Sequence, residues 1–255
     1  MRRWVDGKPV DVDLTYGMSA ILQRIQKTAL GFAEKLGRTF ANQLQKKCFD
    51  VPTSWNLRLR KPFSHSEPLV NDDIVPAMLD GKIAPVSAID AIKDSKTIEL
   101  TDNTSVADVD VIIFCTGYKA NFSTLADSPY DPTKKTVPEW STIEGSKNLP
   151  LPYLHQNIFS VDFPDSLAFT CQCAFQMPLF VIYELASMAV AQVWKGKSSL
   201  PPKEEMICHA EACQHWMCGR AKLGSAYPDL VRVPDWYSWI NDTAGTGLND
   251  VSDML

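Results

Sequence analysis

A chain of 255 residues, 45% hydrophobic and 22% charged, has the balance of a globular protein with a real core, in one large domain or two small ones. Its net charge of -5, with Lys and Arg scattered, supplies no basic stripe for a phosphate backbone and excludes nucleic acid as an expected partner. Seven cysteines without regular spacing argue against a disulfide framework, and Met1-Arg2-Arg3 runs into further charge rather than a signal peptide; both point to a cytoplasmic protein.

From Met18 to Cys48 the apolar residues Ile21, Leu22, Ile25, Ala29, Phe32, Ala33, Leu36, Phe40 and Leu44 recur at three- and four-residue spacing. This predicts a long amphipathic helix packed on a domain, broken near Gly31 or Gly37. Between Asp50 and Pro76 four prolines and the basic Arg58, Arg60 and Lys61 predict mostly loop. Short β-type segments follow at Lys82 to Val86, Ala88 to Ile92 and Thr97 to Leu100. Turns at Asp80-Gly81, Asp94-Ser95 and Asp102-Asn103 make them a small meander.

Val109 to Cys115 is rich in β-branched residues and apolar on both faces from Val111, which predicts a strand covered on two sides. Asp108 and Asp110 mark its solvated entrance. Strands are expected again at Ile158 to Val161 and Leu167 to Cys173, joined by Asp162-Phe-Pro-Asp165. A helix should run from Pro178 to Lys195 and stop at Gly196, and another should start at Pro201-Pro202-Lys-Glu-Glu205. Between Leu167 and Trp194 the only formal charge is Glu184, which raises a membrane span; Gln172, Gln176, Pro178 and Gln192 interrupt it, and a buried strand, a turn and a core helix explain the same residues. A membrane is therefore not an expected partner, although membrane association remains the weakest of the alternatives.

The segment Phe114-Cys-Thr-Gly-Tyr118 ends the predicted strand on a glycine, where a missing side chain permits close approach to a ligand or another backbone. It resembles the Phe-Ala-Thr-Gly-Tyr motif of the flavin-containing monooxygenases, with Cys115 in place of alanine. The flanks are similar as well: Val70-Asn-Asp-Asp-Ile74, Gly81-Lys-Ile83, Asp102-Asn103, then Asn157-Ile-Phe-Ser160, Leu167-Ala-Phe169, Glu184-Leu-Ala-Ser-Met-Ala189 and Trp194-Lys-Gly196 before Leu200-Pro201. They match the later part of these enzymes, particularly fungal members of secondary metabolism. Arg2-Arg3-Trp4-Val5 and Asp6-Gly-Lys-Pro9 resemble the segment after the family's pyridine-nucleotide glycine loop.

The resemblance implies an α/β fold, the later half of a flavoprotein with two dinucleotide-binding domains. Residues 1–125 would be the remainder of the NADP-binding-type domain and 126–255 the last part of the FAD-binding-type domain. It also implies FAD, NADPH and the insertion of one oxygen atom into a small-molecule substrate. Thr116 and Gly117 would pack against the cofactor region, Tyr118 would close it, and Arg2 or Arg3 would meet a nucleotide 2'-phosphate. The family's two glycine turns are missing: among the 12 glycines the only G-x-G is Gly245-Thr-Gly247, which neither follows a predicted strand nor precedes a predicted helix. Three expectations follow: a truncated enzyme with a partner chain supplying the missing half, a cofactor held by this chain after unusual compensation, or a non-catalytic remnant or interaction subunit; a partner chain or a homo-oligomer is the expected assembly.

The remaining candidates read as structural. In Cys208-His209-Ala-Glu-Ala-Cys213-Gln-His215-Trp-Met-Cys218 the pairs His209/Cys213 and His215/Cys218 each share a helix face, but the second is rotated away from the first. Four ligands on one straight helix do not converge on one tetrahedral metal. Cys171 and Cys173 would lie on one strand face as packing residues. His65 and His155 stand alone in loop-like sequence and receive no role.

Overall fold

The computed structural model describes residues 4–5, 8–9, 35, 39, 43, 51–52, 55, 71–116, 120–174, 179–224 and 226–247. The chain divides into two compact units, residues 1–64 with 68–118, and residues 65–67 with 119–255. Helices and strands are both present. The strands form antiparallel sheets of two, three and two strands, and the parallel pairing among the described residues is an isolated bridge between Ala174 and Leu230.

In the first unit, β1 (Trp4–Val5) pairs with β2 (Lys8–Pro9). Of the helix expected over 18–48, Lys35, Thr39 and Gln43 are helical and exposed; the rest lies outside the described residues. Helix α1 (Ile74–Leu79) sits partly in the stretch expected to be loop. Its start is fixed by Asn71, whose Oδ1 accepts from the backbone N–H groups of Asp73 and Ile74 at 2.8 Å each, and Val75 and Met78 are buried.

The expected meander exists as β3 (Ile89–Ile92), β4 (Ile98–Leu100) and β5 (Ser105–Val106), in that order across the sheet. Ser105–Val106 takes the place expected for Lys82 to Val86. Its two turns are built by aspartates. Asp94 Oδ1 accepts from the Lys96 N–H at 2.8 Å, and Asp102 Oδ1 accepts from the Thr104 N–H at 3.0 Å and the Thr104 hydroxyl at 2.6 Å. The Ser87 hydroxyl also donates to Asp102, at 2.6 Å, and these bonds hold its carboxyl down at about 2.

The strand expected from Val109 to Cys115 is not formed. The Val109 N–H reaches the Lys96 carbonyl at 2.9 Å, but beyond it the segment joins no sheet among the described residues, and Val111, Ile113 and Phe114 are exposed. Composition supplied β propensity, but a strand also needs a neighbour for its N–H and C=O groups.

The second unit is built around three helices, α2 (Leu179–Trp194), α3 (Lys203–Leu223) and α4 (Val233–Ala244). On α2 the residues Ile182, Leu185, Ala186, Ala189 and Val190 are buried at three- and four-residue spacing, and they pack with Trp236, Ile240 and Ala244 of α4. Gly196 and Gly245 follow α2 and α4 at φ +68°, the left-handed conformation that ends a helix most readily with glycine. The two strands expected at Ile158 to Val161 and Leu167 to Cys173 shrink to β6 (Leu154–His155) paired with β7 (Phe159–Ser160), plus a bridge from Phe159 to Ala168. Cys171 and Cys173 therefore do not share a strand face: Cys171 is exposed in a turn and Cys173 is buried, with its thiol pushed up to about 12 by burial.

Helix α3 links two hydrophobic clusters. Met206 and Ala210 enter one with α2 and α4; Met217, Cys218 and Ala221 enter the other with Trp140, Leu151 and Ala226. Between them Gln214 is 2% exposed, its Oε1 accepting from the Val137 N–H at 2.9 Å and its Nε2 donating to the Pro152 carbonyl at 3.4 Å.

Gly145 packs on the end of α3, accepting from the Ala226 N–H at 3.1 Å. A Cβ at this position would run into the carbonyl oxygens of Ala221 and Gly224. Gly145→Ala should therefore destabilise the second unit by about 1–3 kcal/mol, a fall of several degrees in Tm. Gln214→Met, which leaves the Val137 N–H without its acceptor, should cost about 1–3 kcal/mol in denaturant unfolding. Wild-type stability in either variant would contradict these packing assignments.

Candidate functional site

Of the residues expected at the cofactor, Thr116 is exposed at the end of the segment that fails to become a strand. Gly117, Tyr118, Arg2 and Arg3 lie outside the described residues.

The described helices do not fit a dinucleotide pyrophosphate. Among the described residues the glycines with positive φ, Gly81, Gly196, Gly245 and Gly247, all lie beyond helix C-termini, where backbone carbonyls rather than N–H groups are unpaired. Of the three described helices with a defined start, the six-residue α1 has the Asp73 and Ile74 N–H groups at its start taken by Asn71, and the two longer ones place acids there: Glu204 and Glu205 in the first turn of α3, and Asp235 in that of α4. Carboxylates in a first turn already occupy the positive end of the helix dipole and repel phosphate.

A different constellation lies in the second unit. The three-residue connection between β6 and β7 carries Gln156 and Asn157 at φ +55° and +58°, a left-handed pair unusual for non-glycine residues. Three side chains hold it, one from the turn and two from elsewhere. Asn157 Nδ2 donates to the Leu230 carbonyl at 3.3 Å, Trp236 Nε1 donates to the Gln156 carbonyl at 3.0 Å, and the Gln156 N–H donates to Nδ1 of His209 at 3.4 Å. That last bond sets the proton of neutral His209 on Nε2.

His155, one residue before this turn, is 3% exposed. Its ring lies edge-on to His209 at 4.8 Å and to Trp239 at 5.7 Å, and neither of its nitrogens has a hydrogen-bond partner. Burial, reinforced by His209, lowers its pKa to about 3. His209 is also lowered by burial, so both rings are neutral at ordinary pH. They border an open hollow of about 660 Å³, walled by Leu200, Pro201 and Pro202 before α3, by Glu205 and His209 on α3, and by Trp239 and Thr243 on α4.

Helix α3 also carries the cysteine–histidine cluster. His209 and Cys213 are neighbours, with Sγ 3.6 Å from Nε2, whereas Cys218 is buried in the cluster around Trp140 and His215 is exposed. Among the described residues no group of three or more His, Cys, Asp or Glu is placed to hold a metal ion, and no helix is long and apolar enough to cross a membrane. His155 was assigned no role from sequence because its partners are distant along the chain: 54 residues to His209 and 84 to Trp239, on elements that no spacing rule connects.

Residues 1–227 match a family model described as flavin-binding monooxygenase-like. The chain is 35% identical over 246 residues to monooxygenase aurF of Gibberella zeae, covering 96% of this chain and 46% of that protein. It is 29% identical over 157 residues to flavin-containing monooxygenase 2 of Homo sapiens, covering 60% of this chain and 26% of that protein. With flavin-containing monooxygenase 5 of Oryctolagus cuniculus the identity is 23% over 219 residues, 84% of this chain and 36% of that protein. The chain thus spans about half the length, or less, of these curated relatives.

The buried histidine predicts an acid-sensitive fold. Since the folded pKa of His155 is depressed from 6.5 to about 3, the unfolded chain takes up the proton first as pH falls. Its contribution is present in full above the unfolded value and is lost as pH drops from about 6.5 towards 3, by at most about 1.4 kcal/mol per pH unit. His155→Phe should flatten the loss of stability between pH 7 and pH 5 in urea titrations. Equal slopes for the two proteins would contradict a buried, neutral His155.

Proposed function

Because the chain belongs to the flavin-binding monooxygenase-like family, we propose that it forms the later half of an FAD- and NADPH-dependent monooxygenase. The reaction is insertion of one oxygen atom into a small organic intermediate of secondary metabolism. The observation that carries this reading is the match over residues 1–227, joined by 35% identity, over nearly the whole chain, to a fungal protein named a monooxygenase. The fungal relative and the resemblance of the later segments to fungal members support the secondary-metabolite substrate class.

The absence of G-x-G-x-x-G from the chain, with acids in the first turns of α3 and α4, supports a division of labour. In this proposal sequence outside this chain holds the pyrophosphates of FAD and NADPH. Thr116, Gly117 and Tyr118 close against the cofactor region, and Arg2 or Arg3 meets the 2'-phosphate of NADPH. The same absence favours a second reading, a non-catalytic subunit that keeps the fold's later half.

Co-expression separates the two readings. The chain should be colourless alone. Together with the part of the Gibberella zeae monooxygenase that the match leaves uncovered, it should retain flavin absorbance through gel filtration and oxidise NADPH. A stable pair without flavin or NADPH oxidation would overturn the catalytic reading in favour of the non-catalytic one.

A further inference from the structure

We infer that segment 109–115 of the first unit is a docking strand, which completes a sheet supplied by the part of a flavin-binding monooxygenase that lies outside this chain. The inference rests on the reading of the chain as the later half of such an enzyme, and it adds where the two halves meet.

The observation that asks for a partner is an apolar run left in water. Val111, Ile113 and Phe114 are 73%, 79% and 75% exposed, and Ile112 between them is half-buried. Single apolar side chains on a surface are ordinary, but three within four consecutive residues form a patch. The segment is tethered at its start, where the Val109 N–H donates to the Lys96 carbonyl at 2.9 Å and Lys96 Nζ lies 3.5 Å from Asp110. Beyond that anchor it pairs with no strand among the described residues, although a β-branched run of this kind is well suited to join a sheet edge.

The residue pattern selects the occupant. In a strand Val111 and Ile113 lie on one face and Ile112 and Phe114 on the other, so both faces are apolar once Asp110 is passed. A strand with water on one face keeps a polar residue at every second position, whereas one apolar on both belongs in a sheet covered on two sides. A second copy of this chain does not supply such a sheet. Its described sheets have two or three antiparallel strands, and β3 itself leaves Ile89 and Ile92 exposed. Two copies paired through this segment would close a ladder and leave both apolar faces in water. The occupant is therefore an α/β layer with a strand edge and helices on both sides. Sequence of sufficient length stands in the fungal relative: this chain covers 46% of the Gibberella zeae monooxygenase, so more than half of that protein lies outside the match. A dinucleotide-binding domain is built on a parallel sheet, and the described residues here hold one isolated parallel bridge, so in this inference that layer belongs to the other half.

The test joins the uncovered part of the Gibberella zeae monooxygenase to this chain in one polypeptide and follows amide hydrogen exchange over 109–115, with the chain alone beside it. In the chain alone the amides from 110 to 115 should exchange freely, and in the joined protein at least about 100-fold more slowly. Ile113→Lys should leave the Tm of the chain alone unchanged, since that side chain is already in water, and should cut the protection in the joined protein about tenfold or more. Flavin absorbance and NADPH oxidation are read separately on the joined protein. Protection without flavin would uphold the docking and overturn the monooxygenase reading, whereas flavin-dependent NADPH oxidation with 109–115 unprotected would do the reverse. The docking is also overturned if the joined protein, folded or not, gives the segment no protection. So would it be if the chain alone already protected the segment, by packing on itself or by pairing with a second copy.

Discussion

A single buried amide ties the second unit together. Gln214 is the polar residue in the middle of the inward face of α3, between Met206 and Ala210 on one side and Met217, Cys218 and Ala221 on the other. A hydrophobic residue there would complete the stripe, but two loops would lose their anchor. The backbone at Val137 and at Pro152 reaches the same side chain from opposite sides, and a buried peptide group left unpaired costs more than the hydrogen bond contributes. Once α3 is placed, Gly145 can press against its last turn, and β6 is brought beside His209.

The hollow follows from that placement. The left-handed pair Gln156 and Asn157 is unfavourable in isolation, and it persists because Trp236, His209 and Asn157 itself bind its backbone or anchor it to the 228–230 segment. The turn then fixes His155 with its ring against His209 and Trp239, out of water and without a partner. Desolvation outweighs any gain from protonation, so the ring is a neutral donor–acceptor rather than a charge.

Helical periodicity was readable from the amino-acid sequence. The apolar spacing on α2, with Gly196 beyond it, and the Pro-Pro-Lys-Glu-Glu start of α3 both mark real elements. The aspartate turns of the small meander were equally legible, because an aspartate that caps its own turn acts within two residues. Helix α4 was missed although Pro234 lies in its first turn and Gly245 follows its end, as helix termini prefer; its stripe of Trp236, Ile240 and Ala244 is short and interrupted by polar residues. Val109 to Cys115 failed in the opposite way, since strand propensity is local whereas strand formation needs a partner. The family was legible from the order of motifs around Phe114 to Tyr118, and the His155 hollow was not, because burial and contacts across 54 or more residues leave no local pattern.

The proposed function separates family membership from possession of a cofactor cradle. The starts of α3 and α4 carry Glu204, Glu205 and Asp235, the start of the short α1 has its Asp73 and Ile74 N–H groups taken by Asn71, and the positive-φ glycines among the described residues lie at helix ends; none of these offers the free N–H groups that receive a pyrophosphate. The most direct test is a titration of FAD with the purified chain alone, followed by flavin fluorescence anisotropy. The account predicts no saturable rise. A saturable, stoichiometric rise would show that this chain holds the cofactor by itself and would contradict it.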